Sequence, residues 1–255
     1  MKAKVNGTEL NYEVSGKEGA PWLVFSHSLA CNVRMWDPTL AAFKDKYRIL
    51  NYDMRGHGQS AAPSGPYTLD MLADDVLALM KEVKIERCKF IGLSIGGMIG
   101  QTLALRQTKH FEKMVLADTG HSQPPEAIKQ WEERIKIAQS QGMKALVPST
   151  MERWFTPAFR ESAPAKKIAD IIAATPVNGY VGCGQAIMKL NTTARLKEIK
   201  VPVLAITGES DPSAGATKYI GENVPGAKFV SISQAAHIAN VEQPEKFNQA
   251  LRDFL

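Results

Sequence analysis

The 255-residue chain is short of cysteine, of long apolar runs and of blocks of like charge, and each shortage removes a class of function. Its three cysteines, Cys31, Cys88 and Cys183, lie far apart, are odd in number and form no CxxC pair. A disulfide framework and a zinc site are therefore not expected, and a reducing cytoplasm suits the thiols. No uninterrupted apolar stretch approaches the roughly 18 residues of a membrane span. Met1-Lys2-Ala3-Lys4 runs straight into Val5-Asn6-Gly7-Thr8 without the apolar segment of an export signal. We expect a cytoplasmic protein that neither enters nor crosses a membrane. Lysine and arginine exceed aspartate and glutamate, 31 against 26, which leaves +5 without any basic run. That pattern indicates no nucleic-acid partner and permits, at most, a preference for anionic small molecules.

What is present reads as a globular chain. Hydrophobic residues make up 44% and charged residues 22%, too apolar for disorder and too evenly mixed for a coiled coil. The length allows one large domain or two small ones. Asn6-Gly7 between short strand candidates suggests a hairpin. Continuous apolar runs follow at Trp22–Phe25, Arg48–Tyr52, Lys89–Leu93, Lys113–Ala117, Val203–Ile206 and Lys228–Ile232. Such runs fit strands buried on both faces of a parallel sheet. Helical periodicity falls between them, over Leu69–Val83 with Thr68 as N-cap, over Ile95–Leu105 and over Pro244–Phe254. Alternation of this kind predicts an α/β fold. From about residue 123 to 196 the alternation stops, and helix-like stretches such as Ala127–Gln141 and Ala165–Ala174 are punctuated by prolines. We expect a helical lid over the carboxyl edge of the sheet, where ligands of open α/β sheets bind.

Gly92-Leu93-Ser94-Ile95-Gly96 completes G-x-S-x-G between a buried strand and an apolar helix, the context that a nucleophile elbow needs. Serine is a weak nucleophile, so a base must follow it and an acid must orient the base. His237 alone among the five histidines lies after the last strand candidate, where a loop emerges on the same sheet edge as Ser94. Two residues could supply the acid. Asp211 follows Val203–Thr207, and Asp118 follows Lys113–Ala117; we favour Asp211 for its place on the strand just before that of His237. Two backbone donors should face the oxyanion, the Ile95 N–H directly after the nucleophile and the Leu29 N–H in Ser26-His27-Ser28-Leu29. His27 and the turn Asp53-Met-Arg-Gly-His-Gly-Gln-Ser60 read as loop-bracing structure, and Cys31 as a small packed residue.

Together His27-Ser-Leu29, Asp53-Met-Arg-Gly-His-Gly58, Gly92-Leu-Ser-Ile-Gly-Gly97, Gly208-Glu-Ser-Asp211 and His237 resemble the α/β-hydrolase superfamily across nearly the whole chain. Finer likenesses are Ser26-His-Ser-Leu-Ala30, Arg34-Met-Trp-Asp37, Arg153-Trp-Phe-Thr-Pro157, Gly179-Tyr-Val-Gly-Cys183 and His237-Ile-Ala-Asn-Val-Glu-Gln-Pro244. These are similar to the 3-oxoadipate enol-lactonases of the β-ketoadipate pathway of aromatic degradation. The resemblance implies an α/β-hydrolase fold: a mostly parallel sheet flanked by helices, with a core of residues 1–122 and 197–255 and a helical cap of residues 123–196. It further implies hydrolysis of 3-oxoadipate enol-lactone by Ser94, His237 and Asp211 through an acyl-enzyme, with no metal or organic cofactor. The substrate's free carboxylate asks for a cation. Arg34 is the first choice and Arg153 the second, with Trp154 as an apolar pocket wall. The alternatives are a general carboxylesterase, a lactonase for another ring, or a hydrolase-like small-molecule receptor.

Overall fold

The apolar runs become strands because their side chains have sheet neighbours on both sides and helices above and below. The computed structural model describes residues 1–255. Its eight strands are β1 (Lys2–Val5), β2 (Thr8–Gly16), β3 (Trp22–Ser26), β4 (Arg48–Tyr52), β5 (Cys88–Leu93), β6 (Phe111–Ala117), β7 (Val203–Gly208) and β8 (Lys228–Ile232). They form one sheet in the order β1-β2-β4-β3-β5-β6-β7-β8. Strand β2 pairs antiparallel with β1 and β4, and every later pairing is parallel. The β1–β2 turn holds Asn6 and Gly7 at φ +45° and +72°, the backbone that a two-residue hairpin requires.

The ten helices are α1 (Asp37–Phe43), α2 (Leu69–Glu82), α3 (Ile95–Arg106), α4 (Pro125–Gln141), α5 (Val147–Trp154), α6 (Ala163–Ala174), α7 (Val177–Met188), α8 (Ala214–Asn223), α9 (Ala239–Glu242) and α10 (Pro244–Arg252). Thr68 caps α2 by accepting the Met71 N–H at 3.0 Å, and Leu72, Val76, Leu79 and Met80 form its buried face. Helix α3 packs on β5 and β6 and against α2, while α1 meets α9 and α10. One core runs through these layers and includes Leu23, Val24, Phe25, Phe90, Ile91 and Leu116.

Strand β8 departs from the expectation of two-sided burial. Lys228, Phe229 and Ser231 are exposed, with Phe229 at 37%. It is the last strand of the sheet, so only β7 borders it. Its apolar letters serve a half-covered edge, and the charged Lys228 suits an edge strand.

Helices α4 to α7 are the insertion between β6 and β7. Its two ends are stitched together by a bridge between Ser122 and Asn191 and by the Thr192 N–H donated to His121 at 2.8 Å. Helix α7 rests on the loop after β4 at Gly56 and Gly179. A Cβ on either glycine would drive into the backbone of the other, so the contact demands the bare backbone of both. No helix is long and apolar enough to cross a membrane.

Candidate active site

Strand β5 and helix α3 meet at Ser94, which occupies φ +57°, ψ −117°. A non-glycine residue in that region carries about 1–3 kcal/mol of strain, which the surroundings must hold. They do so through the Ser94 N–H donated to Ala117 at 2.8 Å and the Ser94 carbonyl, which accepts Thr119 Oγ1 at 2.8 Å. Gly92 and Gly96 make the turn possible: a Cβ on the first would strike the Gly96 carbonyl, and on the second the Ser26 carbonyl. The hydroxyl is thereby pushed out at the carboxyl edge of the sheet, into a cavity of about 410 Å³.

His237 enters the same cavity from the loop after β8, and Asp211 from the loop after β7. His237 Nδ1 stands 3.0 Å from Asp211 Oδ1. Asp211 also accepts the Ser213 N–H at 3.0 Å and the Ser213 hydroxyl at 2.5 Å. Burial opposes ionisation of Asp211, but the charge and hydrogen bond of His237, helped by Ser213, outweigh it and hold the carboxyl below its usual range. No hydrogen bond joins His237 to Ser94; in ligand-free hydrolases that contact tightens when substrate binds. The Trp154 ring lies 5.8 Å from the His237 ring and closes one side of the cavity.

Two backbone donors stand free beside the serine. Leu29 and Ile95 are buried, at 4% and 0% exposure, and neither N–H donates to any protein acceptor. Buried N–H groups rarely go unpaired, so a ligand oxygen is the partner that would satisfy them. The Leu29 loop is braced from below. The Ala30 N–H donates to His57 Nε2 at 3.0 Å, the Met54 N–H donates to His27 Nε2 at 2.9 Å, and Asp53 accepts the Val33 N–H at 2.8 Å.

Both histidines are therefore neutral acceptors. Burial lowers His27 to about 4, and burial with the neighbouring His27 lowers His57 to about 3. The unfolded chain takes up protons on them near pH 6.5 and the native state does not, so stability falls as pH drops from about 6.5 toward 4. His27 alone should contribute roughly 3 kcal/mol to this loss. Urea midpoints measured across that window should decline, and the decline should be shallower in His27→Gln; an equal slope would mean other groups govern acid unfolding.

Arg34 does not reach the cavity. The short turn Val33–Trp36 buries Val33, Met35 and Trp36, which directs Arg34 outward to Glu13 and Asp37. Its two carboxylate partners already answer its charge, so the expected substrate cation is corrected. Arg153 does line the cavity, and Arg134 of α4, which the sequence reading missed, joins it. Arg134 Nη2 donates to Gln130 at 3.2 Å and its guanidinium lies 5.0 Å over Trp131. Arg153 donates to the Ser149 carbonyl at 3.1 Å and to Thr150 at 3.2 Å. Neither has a carboxylate partner. Burial, then the charge of Arg134, lowers Arg153 to about 10, which leaves it cationic at neutral pH. The signal for Arg134 was there: Ala127, Gln130, Trp131 and Arg134 share one helical face, and all four line the cavity.

Residues 21–244 match the model of the alpha/beta hydrolase fold. The chain belongs to the α/β-hydrolase family. Among its relatives, 3-oxoadipate enol-lactonase 2 of Acinetobacter baylyi is 36% identical over 250 residues, 95% of this chain and 91% of that protein. The crystal structure of the enol-lactonase from Burkholderia xenovorans LB400 superposes with a TM-score of 0.95 at 38% identity, covering 100% of this chain and 99% of that one. A RutD protein of Stutzerimonas stutzeri, named for carbamate hydrolysis, is 29% identical over 96% of both chains. As an α/β hydrolase similar to enol-lactonases, the protein acts on a small-molecule substrate.

Proposed function

We propose that the chain is a serine hydrolase that opens 3-oxoadipate enol-lactone to 3-oxoadipate, in the cytoplasmic β-ketoadipate pathway. The observation that carries the substrate class is the pair Arg134 and Arg153, two cations without a carboxylate partner in the wall of the cavity that holds Ser94 and His237. A substrate with a free carboxylate supplies the missing counter-charge, whereas a neutral ester leaves both guanidiniums unanswered. The similarity to two named enol-lactonases supports the same ring.

In this reading the residues 123–196 form a lid, and Trp154 shields the reacting atoms from water. His237 Nε2 takes the Ser94 proton as Oγ attacks the lactone carbonyl. The Leu29 and Ile95 N–H groups receive the oxyanion, each worth about 3 kcal/mol by analogy with single oxyanion donors. Collapse breaks the ring C–O bond, and the proton on His237 passes to the departing enol oxygen. The enol rearranges to the ketone, which removes the nucleophile that could close the ring again. His237 then deprotonates water, which attacks the acyl-enzyme and releases the second carboxylate with Ser94 restored. Asp211 holds the imbalance of charge on His237 throughout.

Turnover of 3-oxoadipate enol-lactone against p-nitrophenyl acetate tests the assignment. Strong ester and negligible enol-lactone hydrolysis would favour an esterase, a carbamate hydrolase or a lactonase for another ring. Slow turnover with tight, partner-recruiting ligand binding would favour a receptor. Arg153→Met is expected to raise KM for the anionic lactone about 10- to 100-fold, the value of one or two charge-assisted hydrogen bonds, and to leave KM for the neutral ester nearly unchanged. Arg134→Met should act in the same direction. Equal effects on both substrates would remove the arginines from carboxylate recognition.

A further inference from the structure

Asp118 is a buried acid for which the scheme above has no use. It follows β6 directly, lies in the left-handed region at φ +46° and is fully buried beside the catalytic cavity. Its Oδ1 accepts the Gly208 N–H at 2.7 Å, at the end of β7. Its Oδ2 is enclosed and receives no hydrogen bond. An ionised carboxylate in that place would have the Gly208 N–H and the nearby Thr207 hydroxyl, itself shared with the Gly208 carbonyl at 3.2 Å, but no cation, and the Asp211 charge next to it. Desolvation makes that arrangement untenable. The titratable groups packed around it are Asp211, from the loop after β7, and behind that His237, from the loop after β8; neither a lysine nor an arginine pairs with it.

An enclosed oxygen that receives no hydrogen bond can be satisfied by giving one. We propose that Asp118 is a positioning residue that works as a neutral carboxylic acid, its proton on Oδ2 and donated to the Asp211 carboxylate. The neighbouring acceptor is Asp211, which lines the same cavity wall and whose backbone N–H donates at 3.1 Å to the carbonyl of the same Gly208 that binds Asp118. Burial first, and then the negative charge of Asp211, push the Asp118 carboxyl well above the usual range, in keeping with a retained proton. The donor would fix the orientation in which Asp211 meets His237 Nδ1. The Gly208 N–H bond ties the same acid to the strand from which the Asp211 loop departs, so one side chain sets both the loop and the carboxylate. This rests on Asp211 as the partner of His237.

Infrared difference spectroscopy on the whole protein at neutral pH, wild type minus Asp118→Asn, reads the proton directly. A protonated-carboxyl C=O band that shifts in D₂O is expected; its absence overturns the proposal whatever the substrate proves to be. Kinetics read the role. Asp118→Ala should lower kcat at least about 10-fold, and Asp118→Asn, whose amide both accepts from Gly208 and donates to Asp211, should recover most of it with the acid limb of kcat/KM in its original place. If Asp118→Asn instead moves that limb to lower pH, Asp118 was an anion and the proposal fails. If Asp118→Asn is as inactive as Asp118→Ala, the acid itself is needed and the proposal fails as well. Loss of activity in Ser94→Ala with no infrared band would leave the hydrolase reading intact and remove only this inference.

Discussion

Ser94→Ala should fold as the parent does and lose at least about 10³-fold in kcat on the enol-lactone and on p-nitrophenyl acetate alike. The expectation of normal folding rests on what holds the elbow. The bonds at this position are made by the Ser94 backbone, to Ala117 and Thr119, and an alanine keeps them. Alanine also carries the same Cβ into the same strained backbone, so thermal melts should differ by only a few degrees. The loss of rate follows because no second nucleophile is at hand. Cys31, the nearest thiol in sequence to the Leu29 loop, is fully buried, and burial pushes its pKa far above the range in which a thiolate forms. Free Leu29 and Ile95 donors should leave some residual catalysis, as oxyanion donors do when a triad member is removed. A fluorophosphonate should label the wild type at Ser94, found by peptide mapping, and leave the variant unlabelled. Activity retained in the variant, or an adduct elsewhere, would mean that the acyl group is carried by another residue.

How much of this was legible in the sequence depends on whether the determinant is local. The elbow was, because G-x-S-x-G constrains a turn whose strand and helix both announce themselves by apolar pattern within a dozen residues. The loops carrying Asp211 and His237 were placed by chain order, since every parallel strand ends at the same edge. The cation was not legible. Arg34 stands five residues beyond Leu29, but nearness in sequence is not nearness in space once a tight turn buries Val33, Met35 and Trp36 and leaves Arg34 facing Glu13. Arg134 lies far along the chain from any motif, and its relevance depends on how α4 leans against α7 over the cavity. The exposure of β8 was hidden for a similar reason: an apolar run records what a strand could bury, and its place at the end of the sheet decides what it does bury. Asp118 was visible as one of two acids, but the sequence could not show the burial and the neighbouring Asp211 charge on which its proposed proton depends.

Asp211→Asn is expected to lower kcat about 10³- to 10⁴-fold, far more than Asp118→Asn, and the two acids differ in this way for a reason that geometry supplies. His237 Nδ1 must carry a hydrogen toward its partner so that Nε2 is free to take the Ser94 proton. A carboxylate at 3.0 Å enforces that tautomer because it can only accept. An asparagine can turn its NH₂ toward the ring, which invites the opposite tautomer and places the imidazole hydrogen against Ser94. It also removes the negative charge that offsets the imidazolium formed as the serine attacks, so the transition state loses more than the ground state and kcat falls rather than KM rising. Steady-state kcat and KM on both variants check the pair. If Asp118→Asn proves the more damaging and Asp211→Asn nearly silent, the orienting acid lies at the end of β6, and His237 must reach across to it on substrate binding.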